Sequence, residues 1–206
     1  MLKLYTHLAT IGLACEIALE EAGAPYEAHR LRFAENEQRA APYLAINPKS
    51  RAPALQTDQG VITEVPAILA YIARSFPGAR LLPDGDAFAL AQAESLMSYL
   101  CSWVHPAAAH RVRGYRWADD PAAIKELARK APEVFAQAMA LIEADLFIGP
   151  WVMGEAYSIC DAYLYTVASW LPRDGIDPGL FPKIAQHTAR MGERPAVRKV
   201  LAQLAT

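Results

Sequence analysis

The sequence predicts a fold in two parts, an α/β portion followed by an all-helical portion. In the first 76 residues, short apolar runs typical of strands alternate with segments of helical spacing. Between Phe76 and Gly85 the composition shifts to proline, glycine and charge, which is typical of a linker. Beyond it, apolar residues recur every three or four positions. We therefore expect domains at 1–76 and 87–206, joined by a linker at 77–86.

Length and composition limit the classes of function. The chain has 206 residues, of which 53% are hydrophobic and 20% charged, so it is expected to fold around a substantial core. A net charge of −2 provides no field that would attract nucleic acid or anionic lipid. No apolar run approaches the about 20 residues that span a bilayer, and the N-terminus lacks the pattern of a signal peptide, so we expect a cytoplasmic protein.

Cysteine usage agrees with a reducing compartment. Cys15, Cys101 and Cys160 are not spaced as a disulfide framework or a zinc site, and no metal is expected.

The first part begins with a strand over Leu2 to Thr6 and a helix over 11–22, for which Thr10 is the expected N-cap and Gly23 the stop. A second strand is predicted over 25–31 and a short helix over 42–46.

The stretch that follows, from Asn47 to Ala73, organises the rest of the first part. Two strands at 54–57 and 61–63 flank the turn signal Asp58-Gln59-Gly60, which predicts an antiparallel hairpin. Pro66 favours the first turn of a helix. Glu64 lies at the strand-to-helix junction, where helix N–H groups and a carboxylate together can hold a zwitterionic peptide-like ligand.

The second part is expected to be a helical bundle. Its first helix is marked by apolar residues in steps of three and four, namely Leu90, Ala93, Met97, Leu100 and Val104. Further on, Ser158 is expected to cap a helix that carries Asp161 in its first turn.

These segments resemble the cytosolic glutathione transferases, nearest the bacterial beta class. The matching residues are Asn47-Pro48-Lys49, Ala52-Pro53-Ala54-Leu55, Thr63-Glu64 with Ala67-Ile68, Ser158-Ile159-Cys160-Asp161-Ala162-Tyr163, and Met191-Gly192-Glu193-Arg194-Pro195. They cover nearly the whole chain. The resemblance implies a thioredoxin-like N-terminal domain, an all-helical C-terminal domain, a homodimer and glutathione as co-substrate, with no other cofactor.

The resemblance also implies residues for the glutathione site. Pro53 would be cis, and Ala52 before it would pair its backbone with the cysteinyl part of glutathione; an ordinary turn proline is the alternative. Glu64 and Val65 would hold the γ-glutamyl end. Val65 departs from the serine common in the family and leaves only its N–H. The beta-class lysine for the glycine end has no counterpart here; Arg51 is a candidate partner for the glycine carboxylate, with an exposed loop arginine as the alternative.

Three positions bear on activation of the glutathione thiol. The family lowers the thiol pKa with a hydroxyl or cysteine near the start of the first helix. Ile11 occupies the place of the beta-class cysteine and can neither donate a hydrogen bond nor form a mixed disulfide. Thr10 next to it either stabilises the thiolate or only caps the helix. Tyr5 lies where the tyrosine-type classes keep their phenol, although beta-class chains also carry a tyrosine in this region without using it. Cys15 is expected to be buried and inert.

In the second part, His105 aligns with a beta-class histidine that faces the thiol, although a surface or core-edge histidine is the alternative. An unperturbed pKa of about 6.5 would let it exchange protons near neutrality. Pro106 is expected to kink or end the helix. Trp103 and Tyr115 are candidates for an apolar electrophile pocket, with core packing as the alternative.

The expected activity is a detoxifying attack of the glutathione thiolate on a small apolar electrophile. Two alternatives stay open: a glutathione-binding or interaction protein of the same fold with little activity, and glutathione-dependent disulfide or peroxide reduction, which Ile11 disfavours.

Overall fold

The computed structural model describes residues 1–7, 9–83 and 85–203. The chain folds into two compact units, one made of Met1–Leu90 with Gly192–Thr206 and one of Ala91–Met191. Asp84 of the expected linker and residues 204–206 of the expected second domain lie outside the described residues. The domain boundaries at 1–76, 77–86 and 87–206 stay a prediction.

A mixed sheet forms the centre of the first unit. Within the described residues its strands are β1 (Leu2–Thr6), β2 (Tyr26–Arg30), β3 (Ala54–Gln56) and β4 (Val61–Thr63), in the order β2-β1-β3-β4. β1 and β2 are parallel, whereas β3 is antiparallel to both β1 and β4, which confirms the predicted hairpin. Ala54 lies opposite both Tyr5 and Thr63. The end of β1, the start of β3 and the end of β4 therefore share one edge of the sheet.

Helices complete the first unit. They are α1 (Gly12–Glu21), α2 (Ala41–Leu44), α3 (Val65–Ser75) and, from the C-terminal segment, α9 (Pro195–Ala202). α1 contacts both α3 and α9, and its residues from Gly12 to Leu19 are all buried. Ion pairs from Arg194 to Glu21 and from Lys199 to Glu20 connect the α9 segment to α1.

The second unit is helical, as predicted. Its elements are α4 (Ala87–Tyr99), α5 (His105–Arg113), α6 (Pro121–Leu141), α7 (Ile159–Ala168) and α8 (Pro182–Glu193), with α4 and α8 extending across the unit boundaries. No described helix is long and apolar enough to cross a membrane.

The helix end or kink expected from Pro106 takes a different form. A π-helical turn, Leu100–Val104, joins α4 directly to α5, and the N–H of His105 donates to the carbonyl of Leu100. Pro106 then lies in the first turn of α5, and the helical segment continues to Arg113. The expectation of a helix end was wrong because the wider turn accommodates a residue that lacks an N–H.

A buried polar cluster fixes the start of α7. Ser158 and Asp161 form the capping box that the sequence indicates, with the Ser158 N–H donating to Asp161 Oδ2 over 2.8 Å. The other carboxylate oxygen accepts from the Val152 N–H (2.8 Å) and lies 2.9 Å from His187 Nε2. Because the carboxylate is fully buried, these contacts replace its lost hydration.

Candidate functional site

Several of the predicted glutathione-site residues converge on the sheet edge where β1 ends, β3 starts and β4 ends. Gly12 begins α1 at this edge, and a Cβ added there would lie 3.5 Å from the Pro53 Cβ and 2.0 Å from Thr6 Oγ1. The start of α1, the end of β1 and Pro53 are therefore in close contact. The hairpin places Glu64 at the same edge, directly after β4.

The segment before β3 is held by two hydrogen bonds to one backbone carbonyl, that of Arg51. The Ala52–Pro53 peptide bond is cis, as the resemblance implies. The Arg51 carbonyl accepts hydrogen bonds from the Tyr43 hydroxyl (2.5 Å) and from Asn47 Nδ2 (2.6 Å). Among the described residues, neither the N–H nor the C=O of Ala52 has a hydrogen-bond partner. This backbone is thus held in place with a donor and an acceptor unused.

Arg51 itself behaves as a loop side chain. Its guanidinium is exposed and donates to the backbone carbonyls of Ser50 (3.1 Å) and Lys49 (3.4 Å). It lies directly beside Ala52, so a negatively charged group bound there would be within reach of a cation.

Glu64 has an unusual backbone conformation. It is the N-cap of α3, with φ 70° and ψ 126°. Non-glycine residues with positive φ are uncommon and concentrate at functional sites. Its exposed carboxylate lies 2.7 Å from the Lys49 ammonium, which also donates to the Thr63 hydroxyl over 2.9 Å. The sequence alone indicates no role for Lys49, although it belongs to the Asn47-Pro48-Lys49 motif.

Val65 opens α3 and is buried. Its side chain packs in the core, and its N–H has no partner among the described residues, as is usual in the first turn of a helix. A carboxylate placed at this helix start would find both the unpaired N–H and the positive end of the helix dipole.

Thr10 lies just before α1, and its bonding differs from the expected N-cap. The N-cap is Ile11, without a side-chain cap. The Thr10 hydroxyl donates to the His7 carbonyl over 2.6 Å and accepts a long hydrogen bond, 3.3 Å, from the Gly12 N–H. The assigned start of α1 shifts by one residue because its first turn is closed by hydrogen bonds to the residue three positions back, from the Leu13 N–H to the Thr10 carbonyl (3.1 Å) and from the Ala14 N–H to the Ile11 carbonyl (3.2 Å). Ile11 is buried and its N–H has no partner among the described residues.

Tyr5 is in a different setting from Thr10. Its hydroxyl donates to Gln56 Oε1 over 3.0 Å, and its ring packs in a cluster with Leu31, Tyr43 and Ala54. The phenol is therefore already bonded across the sheet.

The buried cysteines are not reactive thiolates. Cys15 and Cys160 are free and buried, and burial raises the pKa of both thiols, that of Cys160 to about 12. The residues that the structure describes contain no cluster of histidine, cysteine or acidic side chains suited to hold a metal ion.

In the second unit, His105 opens α5. Its ring lies against Trp170, with 5.2 Å between ring centroids. Burial, reinforced by Arg113, Arg116 and Arg173, lowers the pKa of His105 to about 4. The expectation of a pKa near 6.5 was therefore wrong, and the imidazole is neutral at physiological pH. The sequence around His105 shows neither its burial, which is the largest cause, nor the charge of Arg173, which is remote in the chain.

Trp103 and Tyr115 are exposed on the chain, at 55% and 53% of their full accessibility. Trp103 lies in the π-helical turn before α5, and Tyr115 in a 3₁₀ turn after it, Gly114–Arg116. Neither is a core residue of the second unit, so both are available to contact other molecules.

Comparison with known proteins identifies the family. A family model described as the N-terminal domain of glutathione S-transferase matches residues 1–74. A crystal structure of a glutathione transferase homologue from Sulfitobacter, with bound glutathione, is 42% identical with a TM-score of 0.95 and covers 98% of both chains. The bacterial beta class glutathione S-transferase of Sphingomonas chungbukensis is 30% identical with a TM-score of 0.84, again over 98% of both chains. Glutathione S-transferase GstA of Escherichia coli O157:H7 is 28% identical over 97% of both.

The class of protein is defined by the thioredoxin-like sheet, by the helical region and by the matches over nearly the full length of the chain. The chain belongs to the cytosolic glutathione transferase family, near its bacterial beta class, and is an enzyme of that family. The fold and family expected from the sequence are confirmed.

Proposed function

We propose that this transferase conjugates the glutathione thiolate to a small apolar electrophile, and that Thr10 activates the thiol. The observation that carries the proposal is the meeting of three features at one sheet edge. These are the hydroxyl at the start of α1, the unpaired backbone of Ala52 beside Pro53, and the carboxylate of Glu64.

Each part of glutathione has a matching group at this edge. The Ala52 N–H and C=O would pair with the cysteinyl backbone in the manner of a β-bridge. Glu64 would accept from the γ-glutamyl ammonium, while the Val65 N–H would donate to its carboxylate. Arg51 supplies positive charge for the glycine carboxylate. Bound in this way, the cysteinyl sulfur would lie near Thr10 and the start of α1.

Thr10 would stabilise the thiolate by donating its hydroxyl proton. The Thr10 hydroxyl donates to the His7 carbonyl, so donation to the glutathione sulfur requires the hydroxyl to rotate. The unpaired Ile11 N–H and the dipole of α1 favour negative charge at the same place. Both effects lower the thiol pKa, so the thiol proton goes to solvent. The sulfur then bonds to the electrophilic carbon, and the leaving group departs with its electron pair.

His105, Trp103 and Tyr115 are proposed to act on the electrophile, as the family resemblance implies. A neutral His105 would do so as a hydrogen-bonding group, because its low pKa excludes the imidazolium form near neutrality. The two exposed aromatic rings would contact the apolar part of the electrophile.

The same proposal includes the biological role, the oligomeric state and the cellular location of the enzyme. We expect a detoxifying homodimer in the cytoplasm; the free, buried cysteines fit a reducing compartment. Large apolar side chains exposed on the single chain, such as Phe88, fit a surface that a second copy covers.

The test is the titration of bound glutathione, followed by the ultraviolet absorbance of its thiolate. We expect an apparent thiol pKa well below about 8.5, the value for free cysteine, in the wild type and a return toward that value in Thr10→Ala. Tyr5→Phe is the matched control, since it also removes one hydroxyl, and should leave the low pKa unchanged. If Tyr5→Phe abolishes the shift instead, Tyr5 is the activator. An unshifted thiol in the bound wild type would favour the glutathione-binding alternative.

A further inference from the structure

An ion pair lies at the junction of β4 and α3, where the proposed glutathione site has its carboxylate. The Lys49 ammonium donates to Glu64 Oε1 over 2.7 Å and to the Thr63 hydroxyl over 2.9 Å. The side chains of Lys49 and Glu64 are about half exposed, at 52% and 56%, and all three residues belong to the first unit. A positive and a negative charge are therefore held side by side in contact with solvent.

This ion pair leaves hydrogen-bonding groups unused. An ammonium has three N–H donors, and two of those of Lys49 are occupied. Within the described residues, Glu64 Oε2 accepts no hydrogen bond, and the Glu64 side chain does not cap α3. The Val65 N–H is also unpaired in this part of the chain. The junction thus offers two donors and one anionic acceptor.

The unused groups match the two charges of a free α-amino acid end. Glu64 Oε2 can accept from an ammonium while Oε1 keeps its bond to Lys49, so such a ligand need not displace the lysine. The carboxylate on the same carbon of the ligand then has two donors beside it, the Lys49 ammonium and the Val65 N–H. Glu64 has a φ of 70° directly before that N–H, an uncommon conformation that concentrates at functional sites.

We propose that Lys49 is a substrate-binding residue, whose third N–H binds the α-carboxylate of the γ-glutamyl end while the lysine stays bonded to Glu64. The inference rests on the proposed function, because it concerns the binding of glutathione at the same site. It adds a cation to the contacts of this end of the tripeptide. The site thereby selects thiol tripeptides whose γ-glutamyl end keeps a free α-carboxylate.

The test compares glutathione with two tripeptides that each lack one of the two charges. γ-Aminobutyryl-cysteinyl-glycine keeps the ammonium and lacks the α-carboxylate, whereas glutaryl-cysteinyl-glycine keeps this carboxylate and lacks the ammonium. Calorimetric titration gives the dissociation constant of each, and weak ligands are titrated as competitors of glutathione. Binding is measured without an electrophile, so the readout does not depend on turnover.

Lys49→Met removes the charge and keeps much of the apolar length of the side chain. We expect it to weaken glutathione and the glutaryl tripeptide by the same factor, about fivefold to tenfold, the effect of losing one charge-assisted hydrogen bond at a half-exposed site. The aminobutyryl tripeptide should change less than about twofold, because it has no carboxylate for Lys49 to bind.

Two further variants serve as controls. Lys49→Arg keeps the charge and should retain most of the affinity for glutathione. Lys3→Met is the matched control, since Lys3 lies in β1 of the same unit and is also a lysine paired with a glutamate, Glu27, over 2.8 Å. It should change the binding of none of the three tripeptides. Circular dichroism of each variant distinguishes a lost contact from a lost fold.

The outcomes separate this inference from the proposed function. If Lys49→Met weakens glutathione and the aminobutyryl tripeptide equally, the lysine only positions Glu64. If glutathione binds Lys49→Met as tightly as the wild type or more tightly, the lysine is a bystander or a competitor of the ligand's ammonium. Either result overturns the inference and leaves the proposed function standing. A wild type that binds none of the three tripeptides overturns both.

Discussion

At the scale of single residues, the bonding of a side chain decides its chemistry more than its type does. Thr10 and Tyr5 both carry a hydroxyl, and both were candidates from sequence. The Tyr5 hydroxyl donates to Gln56 across the sheet, whereas Thr10 lies at the start of α1, where its hydroxyl bonds to the backbone of His7 and Gly12. The position of Thr10 at a helix start favours it over Tyr5 as the proposed thiol activator, since helix N–H groups would stabilise the negative charge of the thiolate.

His105 gives a prediction on pH and stability. Its pKa is about 4 in the folded chain, against about 6.5 when unfolded, so between these values the unfolded chain binds the additional proton. The free energy of unfolding therefore falls as pH is lowered through this window. We expect His105→Gln to lose this dependence, which amounts to at most about 2 kcal/mol between pH 8 and pH 5.

Urea denaturation of wild type and His105→Gln at both pH values measures the effect. Contributions from all other titrating groups are common to the two proteins and cancel in the difference. A difference in stability that is the same at pH 8 and pH 5 would contradict the buried, neutral state of His105.

At the scale of elements, the approach of α1 to the sheet depends on one glycine. Gly12 allows the Thr6 side chain to lie where a Cβ would otherwise be, with Thr6 Oγ1 only 2.0 Å from that position. Thr6 is fully buried, and its hydroxyl has no hydrogen-bond partner within the described residues. The contact positions the start of α1, and with it Thr10, against the end of β1.

We expect Gly12→Ala to destabilise the protein by about 1 to 3 kcal/mol through overpacking. In the Thr6→Ala background the same change should cost at least about 1 kcal/mol less, because the clashing oxygen is gone. Gly192→Ala, in α8 with no atom within 4 Å of the added Cβ, is the control and should not destabilise. Thermal unfolding of wild type, Gly12→Ala, Thr6→Ala and the double variant measures the coupling free energy between the two positions. Additive effects would show that the Thr6 hydroxyl does not limit how closely α1 approaches the sheet.

Local sequence patterns predict some of these elements correctly and fail for others. The hairpin and the capping box of α7 were predicted correctly because each depends on residues within about a dozen positions. The π-helical turn before Pro106 was not predicted, since no sequence pattern distinguishes a wider turn from a helix end. The N-cap of α1 was misplaced by one residue for a similar reason, because the sequence does not show that the first turn is closed by hydrogen bonds to the residue three positions back.

At the scale of the whole molecule, the proposed homodimer can be tested on its surface. Phe88 is 73% exposed on the single chain, and covering it with a second copy would remove its apolar surface from water. We expect light scattering to give twice the chain mass of 22.5 kDa, and Phe88→Glu to shift the equilibrium toward the single chain, because a charge would be buried on association.

Leu180→Glu is the matched control, since Leu180 is 65% exposed and receives the same charge. It should leave the mass unchanged. A wild type with the mass of one chain would contradict the dimer, and dissociation by Leu180→Glu alone would place the interface on a different surface.

The sequence by itself determined the order of strands and helices in the first unit and the family, and it predicts that Ala52, Pro53 and Glu64 belong to one ligand site. These predictions follow from residue patterns within short segments, and a short segment keeps its local structural preference wherever it lies in the fold. Only the tertiary structure decided that Lys49 pairs with Glu64, that Tyr5 bonds to Gln56, and that Arg173 stands beside His105. Their partners are mostly far apart in the chain, and charge and burial act through space, so no spacing in the sequence encodes them.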